Sequence, residues 1–243
     1  MRIKLAQQIF AFNTLWLCLT LTAFAILINL SWWQLSRAGE KTEQLQRLAQ
    51  LQANGALQPA QLSLLAAEDI DGAPLQGEAR WLAPYIWLLD NQIVSGKVGY
   101  DVIVAVQATG LATPLLVNLG WLAGTSSRDL LPQPEIAEQF QLQGLLRVNV
   151  DGLMLLGQNA EDNGQWPMRI QQIDYAELSR HSGLALFPAL LYQQQNSKFE
   201  PHYQPVVLPP EKHRGYALQW FLLGVAVLGV ALAASHQGRA KGE

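Results

Sequence analysis

The chain has 243 residues, half of them hydrophobic and only 14% charged, with a formal net charge of −3. That balance excludes the basic surface a nucleic-acid partner needs. A single cysteine, Cys18, excludes both an internal disulfide and a thiolate metal cluster.

No charged side chain lies between Lys4 and Arg37, and within that stretch residues 9–33 read IFAFNTLWLCLTLTAFAILINLSWW. The run is long enough to cross the roughly 30 Å hydrocarbon layer of a bilayer as a helix. Lipid offers no partner to backbone polar groups, so an isolated strand is excluded there. A cleaved signal peptide is the alternative, since Arg2 and Lys4 form a basic start and Ala23-Phe24-Ala25 has the small-x-small form of a cleavage site. The apolar run continues well past that point, which favours an uncleaved anchor.

Residues 37–53 place Leu45, Leu48 and Leu51 at helical spacing among charged and amide side chains, so an amphipathic continuation is predicted, ended by Asn54-Gly55. Pro59 opens a second short helix over 59–67, and Asp71-Gly72-Ala73-Pro74 reads as a turn. Short β-branched runs then predict strands near 77–82, 86–91, 100–107, 115–121, 140–148, 168–171 and 186–193, with hairpin turns at Ser95-Gly96 and Thr109-Gly110. Asp174, with Glu177 three residues on, predicts a capping box and a helix over 174–181. Residues 201–211 hold four prolines and read as an extended strap. The second apolar run, residues 216–234, is free of charge and about 28 Å long as a helix.

The predicted fold is therefore a membrane protein in which two transmembrane helices flank one β-rich α+β domain of mainly antiparallel strands. Its parts are 1–36, a cytoplasmic N-terminus and first span; 37–214, an extracytoplasmic (periplasmic) domain; and 215–243, a second span and cytoplasmic C-terminus. Trp32, Trp33, Tyr216 and Trp220 fall at one membrane surface, where aromatic rings anchor. Basic residues near the spans are nearly balanced, and the expected site is the inner membrane, with both termini cytoplasmic and the domain periplasmic.

Among chemical motifs there is no HExxH, paired CxxC, GxSxG or phosphate-binding loop. The four histidines, His181, His202, His213 and His236, show no i, i+3 or i+4 spacing. Asp69, Asp71, Asp90, Asp101, Asp129 and Asp151 read as turn residues. One position stands apart. His213 precedes the second span and shares a helical stripe with Tyr216, Ala217 and Trp220; Trp220 returns to within roughly 20° of it, about 10 Å deeper. An imidazole above an apolar aromatic wall can take haem iron axially, and it can equally be an interfacial side chain among headgroups beside Lys212 and Arg214.

Four fragments in order, Trp33-Gln34-Leu35-Ser36-Arg37 with Lys41, Leu89-Asp90-Asn91 with Gly96-Lys97-Val98-Gly99-Tyr100, Leu116-Val117-Asn118-Leu119-Gly120-Trp121, and His213-Arg214-Gly215-Tyr216-Ala217-Leu218-Gln219-Trp220-Phe221, resemble the surfeit locus protein one family. The resemblance spans nearly the whole chain and identifies it as a divergent, bacterial-type member. It implies an assembly factor for haem-copper cytochrome c oxidase that helps deliver or insert haem a into the catalytic subunit. It further implies His213 as the position of a ligand to the haem iron, with Trp220 close to the macrocycle; the helical stripe adds Tyr216 as a third candidate contact, and the expected partners are the oxidase catalytic subunit, haem a synthase and, from the apolar runs, the lipid bilayer. Two departures stand out: Leu119 where the family has arginine, and Ser31 where it has glycine. They remove a charge able to meet a carboxylate or propionate and widen the approach of the two helices.

Three function classes follow. The first is the non-enzymatic assembly factor; the second is a cofactor-free membrane scaffold that holds oxidase subunits during biogenesis. The third, an enzyme, requires a cleft with convergent titratable groups near Asp90, Asn91, Asp101 and Asn118.

Overall fold

The computed structural model describes residues 2–5, 8–11, 13–125, 127–128, 130–148, 150, 158–160 and 164–239. It divides into two compact units, one formed by residues 1–47 and 206–243, the other by 48–205. The aspartates at 129 and 151 lie outside the described residues.

Helix α1 runs Thr14–Ala53, 40 residues without interruption, and belongs to the first unit as far as Arg47; α4, also in the first unit, runs Pro210–Ser235. Both contain windows long and apolar enough to cross a membrane. Residues turned inward on α1 recur at 17, 20, 24, 27, 31, 34, 38 and 41, and on α4 at 210, 213, 217, 220, 224, 227 and 231. Alternating steps of three and four make a 3.5-residue repeat, the pattern of helices packed side by side along one seam. The seam is antiparallel: Ser31 Oγ donates to the Ala217 carbonyl at 2.9 Å, and Gly224 brings its backbone against Phe24 and Ile28. Ser31 is 8% exposed, so the serine expected to push the helices apart instead ties them with a satisfied hydroxyl. Two short strands before α1, Arg2–Leu5 (β1) and Gln8–Ala11 (β2), pair antiparallel, and His236–Arg239 (β9) joins β2 beyond α4. None of these three was expected: residues 9–11 were read as the start of the first span, but they lie in β2 and the helix begins only at Thr14, while the sequence around β1 and β9 lacks a run of β-branched residues.

The second unit is built around a closed ring of strands. Here β3 (Pro74–Val94) pairs with β4 (Lys97–Ala108), β4 with β5 (Leu115–Ala123), β5 with β8 (Leu190–Gln193), β8 with β6 (Gln139–Arg147), and β6 returns to the first half of β3. A short β7 (Met168–Ile170) lies parallel to β3 at Trp87–Leu89. The sheet is mixed: the β3–β4, β4–β5, β3–β6 and β6–β8 pairs are antiparallel, as expected of most strands, whereas β5–β8 and β3–β7 are parallel pairs joined by long connections.

β4 is buried on both faces. Val102, Val104 and Val106 join Leu75, Val117, Leu142 and Leu191 in one apolar cluster. Ile103 and Ala105 join Trp87, Leu116, Ile170 and Leu178 in another. Leu178 comes from α3 (Tyr175–Ser182), whose N-cap Asp174 accepts a bond from the Glu177 amide as expected. Glu177 does not complete the box; its carboxylate accepts from Asn159 Nδ2 at 2.8 Å and meets His181. The remaining helical pieces are a 3-10 turn at Pro59–Leu64 and a single turn, α2, at Ala67–Ile70.

Candidate functional site

The four fragments that carry the family resemblance gather into two clusters, one in each unit. In the barrel unit, the hairpin fragment and the Leu116–Trp121 fragment lie on paired strands. The Trp121 indole donates to the Gln92 carbonyl at 3.0 Å. Gly99 lies so close to that ring that an added Cβ would stand 2.6 Å from Cε2. Asp101 is 2% exposed, and both its oxygens are used: Asn118 Nδ2 donates to Oδ2 at 2.7 Å, and His202 Nε2 lies 2.6 Å from Oδ1. The hydrogen bond to Asp101 raises the His202 pKa above its usual value, against the opposing effect of burial.

Asp101 and Asp90 are thus strand residues rather than turn residues. Asp90 is buried and paired with Arg128. The other part of this cluster is the strap before α4. Ser197 Oγ donates to the Leu119 carbonyl at 2.6 Å, Glu200 and Trp121 exchange backbone bonds at 2.8 and 3.1 Å, and Tyr203 stacks on Tyr192 with ring centroids 3.8 Å apart. Leu119 itself is buried in the barrel cluster, where it serves packing.

In the helical unit, the first and last fragments meet on the seam. His213 is 8% exposed, and its Nδ1 lies 2.7 Å from Gln34 Oε1. Among the described residues its Nε2 has no hydrogen-bond partner. Ala217 and Trp220 continue the same seam, whereas Tyr216 is 44% exposed and faces away from it. The reason is the position of His213 in the repeat: the step from Pro210 to His213 is three residues, so the next seam position is four on, at Ala217, then Trp220, and Tyr216 falls beside the seam. Of the three residues expected to surround a cofactor, His213 and Trp220 share a face and Tyr216 does not. Gln34 was visible in the sequence only as part of a fragment. Its signal was an amide at the end of the apolar run, just before Arg37, where a polar side chain needs a partner.

A groove of about 730 Å³ also separates α1 and α4. It lies at the far end of the seam, between Trp16, Leu17, Leu223 and Val227, and among the described residues no titratable group lines it. On the same pair of helices His213 is a buried imidazole with one nitrogen engaged by a neutral amide and the other without a partner among the described residues. Such a group can coordinate a metal centre axially.

A mixed-sheet domain flanked by two helices long and apolar enough to span a membrane defines the class of the chain. A model of the SURF1 family matches residues 21–225, from within the first helix to within the second, and the chain belongs to that family. The family is known for cytochrome oxidase assembly. No curated protein matches the chain.

Proposed function

We propose that this protein is a membrane-anchored, non-enzymatic assembly factor for haem-copper cytochrome c oxidase that holds haem a transiently at His213 on its way to the catalytic subunit. Both helices cross the inner membrane, both termini are cytoplasmic and the barrel is periplasmic; haem a synthase is the natural donor. The observation that carries this reading is the His213 imidazole, buried on an apolar seam with Nδ1 on Gln34 and Nε2 without a protein partner among the described residues.

The donor set fits the group. An imidazole nitrogen is an ordinary axial ligand of haem iron, Trp220 lies on the same seam about 10 Å deeper, and Lys212 and Arg214 are exposed beside His213 where a propionate needs a cation. When bound, the haem would supply a Lewis-acidic, redox-active iron that His213 would hold. What the chain's own residues do is present one nitrogen, exclude water along the seam, and balance the propionate charge. Protein purified from cells that make haem a is expected to show a Soret band, and His213→Ala is expected to lose it; equal spectra would overturn the assignment.

The cofactor-free scaffold remains a distinct reading, favoured by the tight burial of His213. It expects normal oxidase assembly with His213→Ala and failed assembly when the barrel surface is altered.

A further inference from the structure

We propose that Gln34 is the positioning residue of the His213 site, fixing which imidazole nitrogen is offered and holding it to a donor strength that permits release. The inference rests on the haem reading above and deepens it. Gln34 Oε1 stands 2.7 Å from His213 Nδ1. A carbonyl oxygen can only accept, so the Nδ1 position must carry the proton. In the neutral ring the lone pair then resides on Nε2, the nitrogen that has no partner among the described residues.

The register of the helices secures this arrangement. Three residues earlier on α1, Ser31 Oγ donates to the Ala217 carbonyl, four residues later on α4, at 2.9 Å. Sliding either helix by one turn would break both bonds together and leave polar groups unpaired in an apolar seam. Gln34 is thereby held on a rigid element opposite its target, rather than on a loop.

The identity of the acceptor matters as much as its place. Histidine ligands commonly donate their second N–H to a carboxylate, which draws the proton, increases the basicity of the ligating nitrogen and tightens the metal. An amide oxygen carries no net charge and does this weakly. A carrier must bind and then surrender its cargo, so a glutamine here favours orientation without a strong increase in ligand basicity. Glutamate at the same position would turn the site from a carrier into a trap.

The experiment uses the full chain in lipid nanodiscs with ¹⁵N-labelled histidine, His213 being assigned by its loss in His213→Ala. Without haem, the wild-type ring is expected to be protonated at Nδ1, and Gln34→Leu is expected to shift population to the Nε2-protonated form. On titration with haem a, Gln34→Leu is expected to weaken binding by about 10–100-fold. Gln34→Glu is expected to bind more tightly, to release haem more slowly to an apo-haem-protein acceptor, and to lower the reduction potential of the bound haem. A wild-type ring protonated at Nε2 would overturn the proposal. So would Leu and Glu variants that weaken binding alike, the result expected if Gln34 merely packs. If wild type takes up no haem, the haem reading falls and the donor-strength claim with it, while the ring protonation still decides whether Gln34 positions His213.

Discussion

Gly120 is held at φ 117, a backbone conformation that side-chain-bearing residues rarely adopt. A Cβ built there would lie 2.8 Å from the Glu200 carbonyl oxygen, on the strap that pairs with Trp121. Glycine is required twice over, for its conformation and for the close approach. Gly120→Ala is expected to cost about 1–3 kcal/mol, measurable by chemical denaturation of the full chain in detergent, together with faster amide exchange at Glu200. A variant as stable as wild type would show that the strap does not pair there. The sequence displayed this glycine only within a fragment, because its constraint comes from a segment some eighty residues downstream. Asp101 was illegible for the same reason. Aspartate is a turn residue by local preference, and its two partners, Asn118 and His202, are brought to it by pairing with β5 and by the strap.

Whole elements were more legible than single residues, since strand-forming runs and turn chemistry are local. The hairpin at Ser95-Gly96 lies where expected, with positive φ at both residues. The α3 cap is also present, and α1 ends at Ala53 just before Asn54-Gly55. The two strands expected at 77–82 and 86–91 are one long β3, whose pairing with β4 shifts register between Trp81 and Ile86; a bulge passes through what the sequence presents as a break. The strap carries a pH dependence. The hydrogen bond from His202 to Asp101 raises the histidine pKa in the folded state. Stability from that contact is therefore fully present below the unfolded histidine value, near 6.5, and is lost as pH rises through the higher folded value. Amide exchange in residues 199–203 is expected to quicken, beyond its intrinsic pH dependence, as pH is raised from about 6 to about 8. His202→Gln is expected to remove that excess. A wild-type strap whose protection is independent of pH would show that the pair contributes nothing to holding it.

At the scale of the molecule, barrel closure followed from no single strand: β6 must return to the first half of β3, and β8 must insert parallel to β5, both choices of long-range pairing that periodicity does not encode. The helix pair is the opposite case. The two apolar runs were plain, and the seam repeat was written in them, but a 3.6-residue stripe through His213 admitted Tyr216, which the packed 3.5-residue repeat leaves outside. Since the proposed site exists only if α1 and α4 lie antiparallel in this register, the register can be tested directly. In a background with Cys18 replaced by serine, the pair Ser31→Cys and Ala217→Cys is expected to cross-link readily on oxidation in the membrane, because the native serine hydroxyl already reaches the Ala217 carbonyl at 2.9 Å. Ser31→Cys with Val230→Cys is expected not to, since Val230 is exposed and lies about 20 Å further along α4. Efficient linkage of the second pair, or failure of the first with both thiols accessible to a small maleimide, would place Gln34 away from His213 and dissolve the site, whatever the barrel does.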